Sequence, residues 1–148
     1  MNQVRFFLNK ENKAGYQKIG ELDQLGKESS INDTIQELIK IYVSQLNGCV
    51  FCIDLHSKEA LSKGETLQRV LGLSAWEEAP FYKKEERVVL AFAKEVTFIH
   101  RGGVSNKVYK ELQECYSEKE IGELLLLVTT INTYNRVGIT CLLEPKVD

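Results

Sequence analysis

The stretch Leu46–His56, LNGCVFCIDLH, decides how this chain reads. Cys49 and Cys52 stand three apart, and His56 follows four residues after the second cysteine. Immediately before them, Asn47-Gly48 supplies residues that tolerate positive φ and can end a helix. The segment ahead begins near Asn32, a good N-cap, and carries Ile35, Leu38, Ile39, Tyr42 and Leu46 on one helical stripe. The segment behind, from about Gly48 to Ser62, reads as a second helix closed by Lys63-Gly64. In a thioredoxin-like fold the Cys-x-x-Cys follows a strand; here the preceding segment has helical period, so that fold is set aside. The pair sits in an all-helical frame.

Working outward, apolar residues recur with helical spacing almost throughout, and no clean strand alternation competes. A first helix is expected over roughly Ala14 to Gly26. LQRVLGLSAWEEAPF reads as a short helix, a turn and a stop at Pro80. Glu85 to Phe98 is amphipathic through Val88, Val89, Phe92 and Val96, and HRGGVS is a loop. Ser105 can cap a helix reaching about Cys115, and Ser117 with Glu120 forms a capping-box pattern. The last helix contains GELLLLVTTINTYNRVGI, apolar on more than one face. Such a helix is either central in the fold or sandwiched between subunits, and in so small a chain the subunit reading is favoured. With no linker or internal repeat, residues 1–148 read as a single all-α domain, a helical bundle assembling into a homo-oligomer.

Composition narrows the function classes. At 148 residues the chain can bury a real core without disulfides or a structural metal. A net charge of −2 gives no electrostatic case for nucleic acid. No run approaches the roughly 18 apolar residues of a membrane span. The N-terminus MNQVRFFLNKENKAGYQ lacks a signal-like apolar core, so a cytoplasmic location is expected. The four cysteines, at 49, 52, 115 and 141, are not arranged as a secreted disulfide framework.

On a helix, Cys49, Cys52 and His56 fall within a narrow arc of one face. Cys52 and His56 form an i, i+4 pair, and Cα atoms at i and i+3 lie roughly 5 Å apart, within disulfide reach. Cys49 falls in the first turn, where free N–H groups and the helix dipole favour a thiolate. Glu37, twelve residues before Cys49, lies off the main apolar stripe. It is either a solvated side chain or, once the two helices pack side by side, a proton acceptor facing the Cys–His group. Three readings stay open for the group. The residues are buried structural side chains; or Cys49, Cys52 and His56 are zinc ligands with Glu37, His100, Cys115 or Cys141 as a fourth; or the thiols form a redox couple served by histidine and glutamate. No second Cys-x-x-Cys or His-x3-His follows at finger spacing, which weighs against zinc. The redox reading carries most of the weight.

ELIKIYVSQLNGCVFCIDLHSKEAL resembles the active-site signature of the alkylhydroperoxidase D-like branch of the carboxymuconolactone decarboxylase family. The likeness continues in GETLQRVLGLSAWEEAPFYKKEERVVLAFAKEVT and LLLLVTTINTYNRVGI, covering roughly residues 14 to 142. The resemblance implies an all-α fold, trimers or hexamers, and peroxide reduction by a dithiol without haem, flavin or metal. By motif position it assigns Cys52 as the peroxide-attacking thiol, Cys49 as the resolving thiol, and Glu37 and His56 as the proton relay. It implies two partners: a hydroperoxide substrate and an unidentified dithiol reductant, lipoyl-bearing or thioredoxin-like by analogy. Phe51 stands where well-known alkylhydroperoxidases have a histidine. The decarboxylase branch lacks the cysteine pair, so lactone decarboxylation is a poor reading. First-turn position favours Cys49 as the more acidic thiol, whereas the neighbouring His56 and the resemblance favour Cys52 as attacker, which is the assignment adopted. The alternative from another class is a non-enzymatic redox sensor or a Cys/Cys/His metal-binding protein.

Outside this group, Trp76 reads as a packing anchor and His100 as a loop histidine. Cys115 and Cys141 have no companion at useful spacing. Asn132 and Asn135, on the apolar last helix, are expected to satisfy backbone or cross-subunit groups.

Overall fold

The computed structural model describes residues 3–148, and among these every regular element is helical. The α-helices are α1 (Leu8–Glu11), α2 (Lys13–Lys27), α3 (Asp33–Asn47), α4 (Val50–Ser62), α5 (Leu67–Gly72), α6 (Lys84–Thr97), α7 (Asn106–Cys115) and α8 (Glu118–Cys141). Single 3-10 turns follow α5 and α6. The expected all-α frame is therefore present, with small shifts at the ends. The first long helix starts one residue earlier than Ala14 and is preceded by the short α1, which the N-terminal sequence did not signal.

The cap signals work as their chemistry requires. Asn32 accepts from the Ile35 amide at 2.9 Å and opens α3. Ser105 opens α7 by accepting from Val108 at 3.3 Å. Ser117 and Glu120 form the reciprocal capping box that opens α8. Trp76 is buried, stacks edge-on to Tyr42 and lies under the Arg87 guanidinium, as a packing anchor should.

The innermost element is α3, packed against α4, α6 and α8. Every residue from Ile35 to Ser44 is buried, polar ones included. The apolar stripe on α3 is thus only part of its buried surface; Gln36, Glu37 and Lys40 are enclosed as well. Gln36 is satisfied by donating to the Ile31 carbonyl at 2.8 Å. By contrast, α8 turns Leu124, Val128, Ile131, Asn135 and Gly138 inward and leaves Leu125, Leu126 and Ile139 exposed on the isolated chain.

Buried apolar residues from α3, α6 and α8 form one cluster that includes Leu38, Ile39, Val89, Leu124 and Val128. Leu124 is fully enclosed. Leu124→Ala should lower unfolding free energy by about 2–5 kcal/mol through lost transfer energy and a residual cavity. Urea denaturation at fixed protein concentration measures this, and a loss under 1 kcal/mol would contradict the assigned burial.

Candidate active site

The turn between α3 and α4 is two residues long. Gly48 closes α3 in the left-handed region at φ 73° and ψ 31°, its amide donating to the Gln45 carbonyl. Cys49 then donates its N–H to the Ser44 carbonyl at 3.0 Å and takes an extended conformation as the N-cap of α4. The first cysteine is therefore not inside the helical turn, as its spacing predicts, but just ahead of it. Both cysteines are nonetheless buried free thiols directed at the same spot on α8. A Cβ added at Gly138 would lie 3.0 Å from Cys49 Sγ and 3.7 Å from Cys52 Sγ. Glycine at 138 is what lets α8 close over the pair.

The two thiols are electrostatically unequal. The Cys52 thiol donates toward Cys49, and this outweighs burial and brings Cys49 down to about 7. The Cys52 backbone amide, the Asn135 side chain and nearby His56 act in the same direction. Cys52, as donor beside a thiolate and itself buried, is pushed up. The pair titrates as a unit, with Cys49 the more acidic sulfur and Cys52 the one that keeps its proton longer.

Asn135 reaches the pair from α8. It is fully buried, donates to Ser44 Oγ at 2.9 Å and accepts from Asn47 Nδ2 at 2.9 Å. Asn132 accepts from the same Asn47 amide at 3.0 Å and donates to Thr97 Oγ1 at 3.1 Å. Both asparagines find partners on α3 and α6 of their own chain rather than needing cross-subunit groups. Asn135 also hydrogen-bonds to the thiol pair, a part beyond the backbone or cross-subunit one expected of it.

Glu37 lies on the α4-facing side of α3, and its carboxylate meets the far end of α4. Oε1 accepts from Lys63 Nζ at 2.7 Å and lies 4.0 Å from Lys40 Nζ, while Oε2 lies 3.7 Å from His56 Nδ1. Burial alone would raise this carboxyl, but His56, Lys63 and Lys40 together bring it down to about 2. His56 Nδ1 has a closer neighbour in Glu59 Oε2, at 3.1 Å. The solvated reading of Glu37 is thus replaced by an enclosed, ionised carboxylate beside the imidazole. Cys52 and His56 open together on a cavity of about 220 Å³ between α2, α4 and α8. Cys49 faces a smaller one of about 150 Å³ near Gly48 and Leu142.

Lys40, Lys63 and Glu59 escaped the sequence reading. Two of them had a signal available: Lys40 is i+3 from Glu37, and Glu59 is i+3 from His56. Lys63, read as a helix terminator, sits at the C-cap of α4 and reaches back to Glu37. Cys115 and Cys141 are free thiols that line neither cavity beside the pair, and His100 lies in the exposed turn after α6. Among the described residues, the one group of three or more ligand-type side chains gathered within 4.8 Å is Glu37, His56 and Glu59, which contains no cysteine. A Cys49/Cys52/His56 zinc set is not assembled.

Two outcomes follow from these electrostatics. Thiolate absorbance of the reduced protein should rise with a midpoint near 7, and Cys52→Ala, which removes the donor, should move that midpoint up toward the ordinary thiol value of 9.0. An unmoved midpoint would refute the shared proton. For Glu37, the folded-state value of about 2 lies below the ordinary 4.5, so its stabilisation is complete above about 4.5 and fades as pH falls toward about 2. Glu37→Gln should flatten that acid limb in urea titrations between the two values.

Comparison with known proteins gives the family and the fold. Residues 13–95 match the model of the carboxymuconolactone decarboxylase family, covering both helices of the cysteine turn. The uncharacterised protein YdfG of Bacillus subtilis is 43% identical over 119 residues, 80% of this chain and 81% of that protein. A crystal structure of a protein of unknown function from Agrobacterium tumefaciens, suggested to be an antioxidant defence protein AhpD, superposes with a TM-score of 0.96. It is 28% identical and covers 99% of this chain and 100% of its own. The debrominase Bmp8 shares the fold at a TM-score of 0.83 and 20% identity, over 93% of this chain and 74% of its own. With its helical frame, its cysteine turn and more than half its length matched, the chain belongs to the carboxymuconolactone decarboxylase family.

Proposed function

We propose that the protein is a thiol-dependent peroxidase whose Cys49–Cys52 pair cycles between dithiol and disulfide. The observation that carries this reading is the pairing of an acidified thiolate with a second thiol that opens, beside His56, on a cavity. Family membership and the likeness to a suggested AhpD support it from outside the site.

The chemistry balances with the groups present. The Cys52 proton passes to Cys49 within the pair, leaving a Cys52 thiolate at the cavity. Its sulfur attacks the terminal oxygen of a hydroperoxide; an S–O bond forms, the O–O bond breaks, and an alkoxide leaves. His56 gives that alkoxide a proton. Glu37 is ionised and therefore does not store the proton; it orients the ring and offsets the charge the ring carries. Cys49 then attacks the Cys52 sulfenic acid, giving the disulfide and water. An external dithiol reduces the disulfide and returns the pair to its starting state. The exposed leucines of α8 fit a homotrimer or homohexamer, and the cytoplasm is the compartment in which such a reductant is at hand.

Peroxide consumption with several dithiol donors tests the reading. Cys52→Ala should lose at least about 100-fold in turnover and Glu37→Gln about 10-fold or more, with the fold intact by circular dichroism. Turnover unchanged in Cys52→Ala would end the proposal. A disulfide formed once per chain without turnover would favour the sensor reading. Mass spectrometry of Cys49→Ser and Cys52→Ser after peroxide assigns the attacker: sulfenate trapped only where Cys49 is retained would reverse the order given.

A further inference from the structure

One oxygen of Glu37 is left over by the contacts around it. The side chain is buried, 3% exposed, and its two ammonium contacts both fall on Oε1: Lys63 Nζ at 2.7 Å and Lys40 Nζ at 4.0 Å. Oε2 is enclosed and has no hydrogen-bond partner. It lies 3.7 Å from His56 Nδ1, beyond hydrogen-bond range, while that nitrogen stands 3.1 Å from Glu59 Oε2. A buried acceptor without a donor is costly, and it points to a partner that comes from outside the chain.

The chemistry of the neighbours says what that partner is. Glu37, His56 and Glu59 each bring one ligand atom, all within 4.8 Å of one another. Two carboxylate oxygens and an imidazole nitrogen suit a divalent cation of zinc type. Tetrahedral bonds of about 2.1 Å set neighbouring donor atoms roughly 3.4 Å apart, and the distances of 3.1 and 3.7 Å fall on either side of that value. The Glu59 side chain is 45% exposed, so its rotation can close the third edge. Two carboxylates and a neutral imidazole also match a double positive charge. Lys63, 48% exposed and screened by water, can stay on Oε1 while the cation takes Oε2. His56 and Glu59 line the cavity beside Cys52, which gives the ion its way in.

We propose that Glu37, His56 and Glu59 form a three-ligand site for a zinc-type divalent cation, with the fourth position open to the cavity beside Cys52. Coordination requires Nδ1 without its proton, so the neutral ring takes the tautomer protonated at Nε2 and no net proton is lost. The consequence for turnover rests on the thiol-peroxidase reading. A cation on Nδ1 removes the imidazole from proton transfer and leaves both thiols unligated, so the metal acts as an inhibitor held on the proton-handling groups.

Binding is measured apart from turnover, by titrating Co2+, a coloured stand-in for zinc, into the reduced protein. One Co2+ per chain should give the visible bands of a tetrahedral nitrogen–oxygen site, without a thiolate-to-cobalt charge-transfer band, and Zn2+ should displace it. Glu59→Gln should weaken uptake at least about 10-fold, while Asp54→Asn, an acidic position on α4 outside the cluster, should leave it unchanged, with thermal melting checking each fold. Absence of saturable uptake, which means that Oε2 is merely hydrated, a sulfur charge-transfer band, or equal affinity in Glu59→Gln would each overturn the site. In the peroxide assay, Zn2+ should inhibit wild type at a concentration at least about 10-fold lower than Glu59→Gln; inhibition alike in both would overturn the regulatory role. If Co2+ binds as assigned while no peroxide is consumed, the metal site stands and the peroxidase reading fails.

Discussion

The site depends on the two-residue turn at Gly48-Cys49. A left-handed residue at 48 ends α3 in the shortest way available and sends α4 back alongside it. Helices rise about 1.5 Å per residue, so this antiparallel return fixes which side chains can meet. Cys49 becomes the cap of α4 rather than part of it, and Cys52 lies one turn along with its sulfur toward the same glycine on α8. His56 and Lys63, further along α4, come opposite Glu37, several turns back on α3. A longer turn would change this register and separate the proton-handling groups from one another.

Enclosing a carboxylate on the central helix would be unfavourable without compensation, because the charge loses its hydration. Lys63, Lys40 and His56 supply that compensation from three directions, and the net result is a carboxyl held far below its usual range. The consequence is a negative charge held beside the imidazole at pH values well above about 2. The fixed charge is valuable here because it does not titrate during a reaction cycle. In the proposed cycle, proton movement is thereby left to His56 and to the two thiols.

The helical frame was legible because each long helix announces itself by caps and period: Asn32, Ser105 and Ser117 accept from the amides three residues on. The pairing of Cys49 with Cys52 and the approach of His56 to Glu37 could also be anticipated, since one tight turn between two helices determines both. The burial of Lys40 could not. Its polarity places it off the apolar stripe of α3, and only the packing of α3 between three other helices encloses it. Glu59 and Lys63 were hidden for a different reason. They sit on a helix whose last turn looks like an ordinary charged end, and their importance comes from where α3 passes. The exposed side of α8 was legible as an apolar surface, while the inward role of Asn135 required knowing that Gly138 and Asn135 face the cysteines together.

The unequal thiols reconcile two arguments that pull apart at first sight. Acidity favours Cys49, whose charge is stabilised by the Cys52 proton, the start of α4 and Asn135. Access favours Cys52, which shares the larger cavity with His56. In the proposed cycle these describe different stages, because the pair titrates as a unit. In that cycle a hydroperoxide entering the cavity brings its oxygen to Cys52, and only then does the sulfur facing the cavity need the charge. Selectivity in such a site comes from what can enter beside Cys52, which is why the wall of the cavity matters as much as the acidity of the thiols.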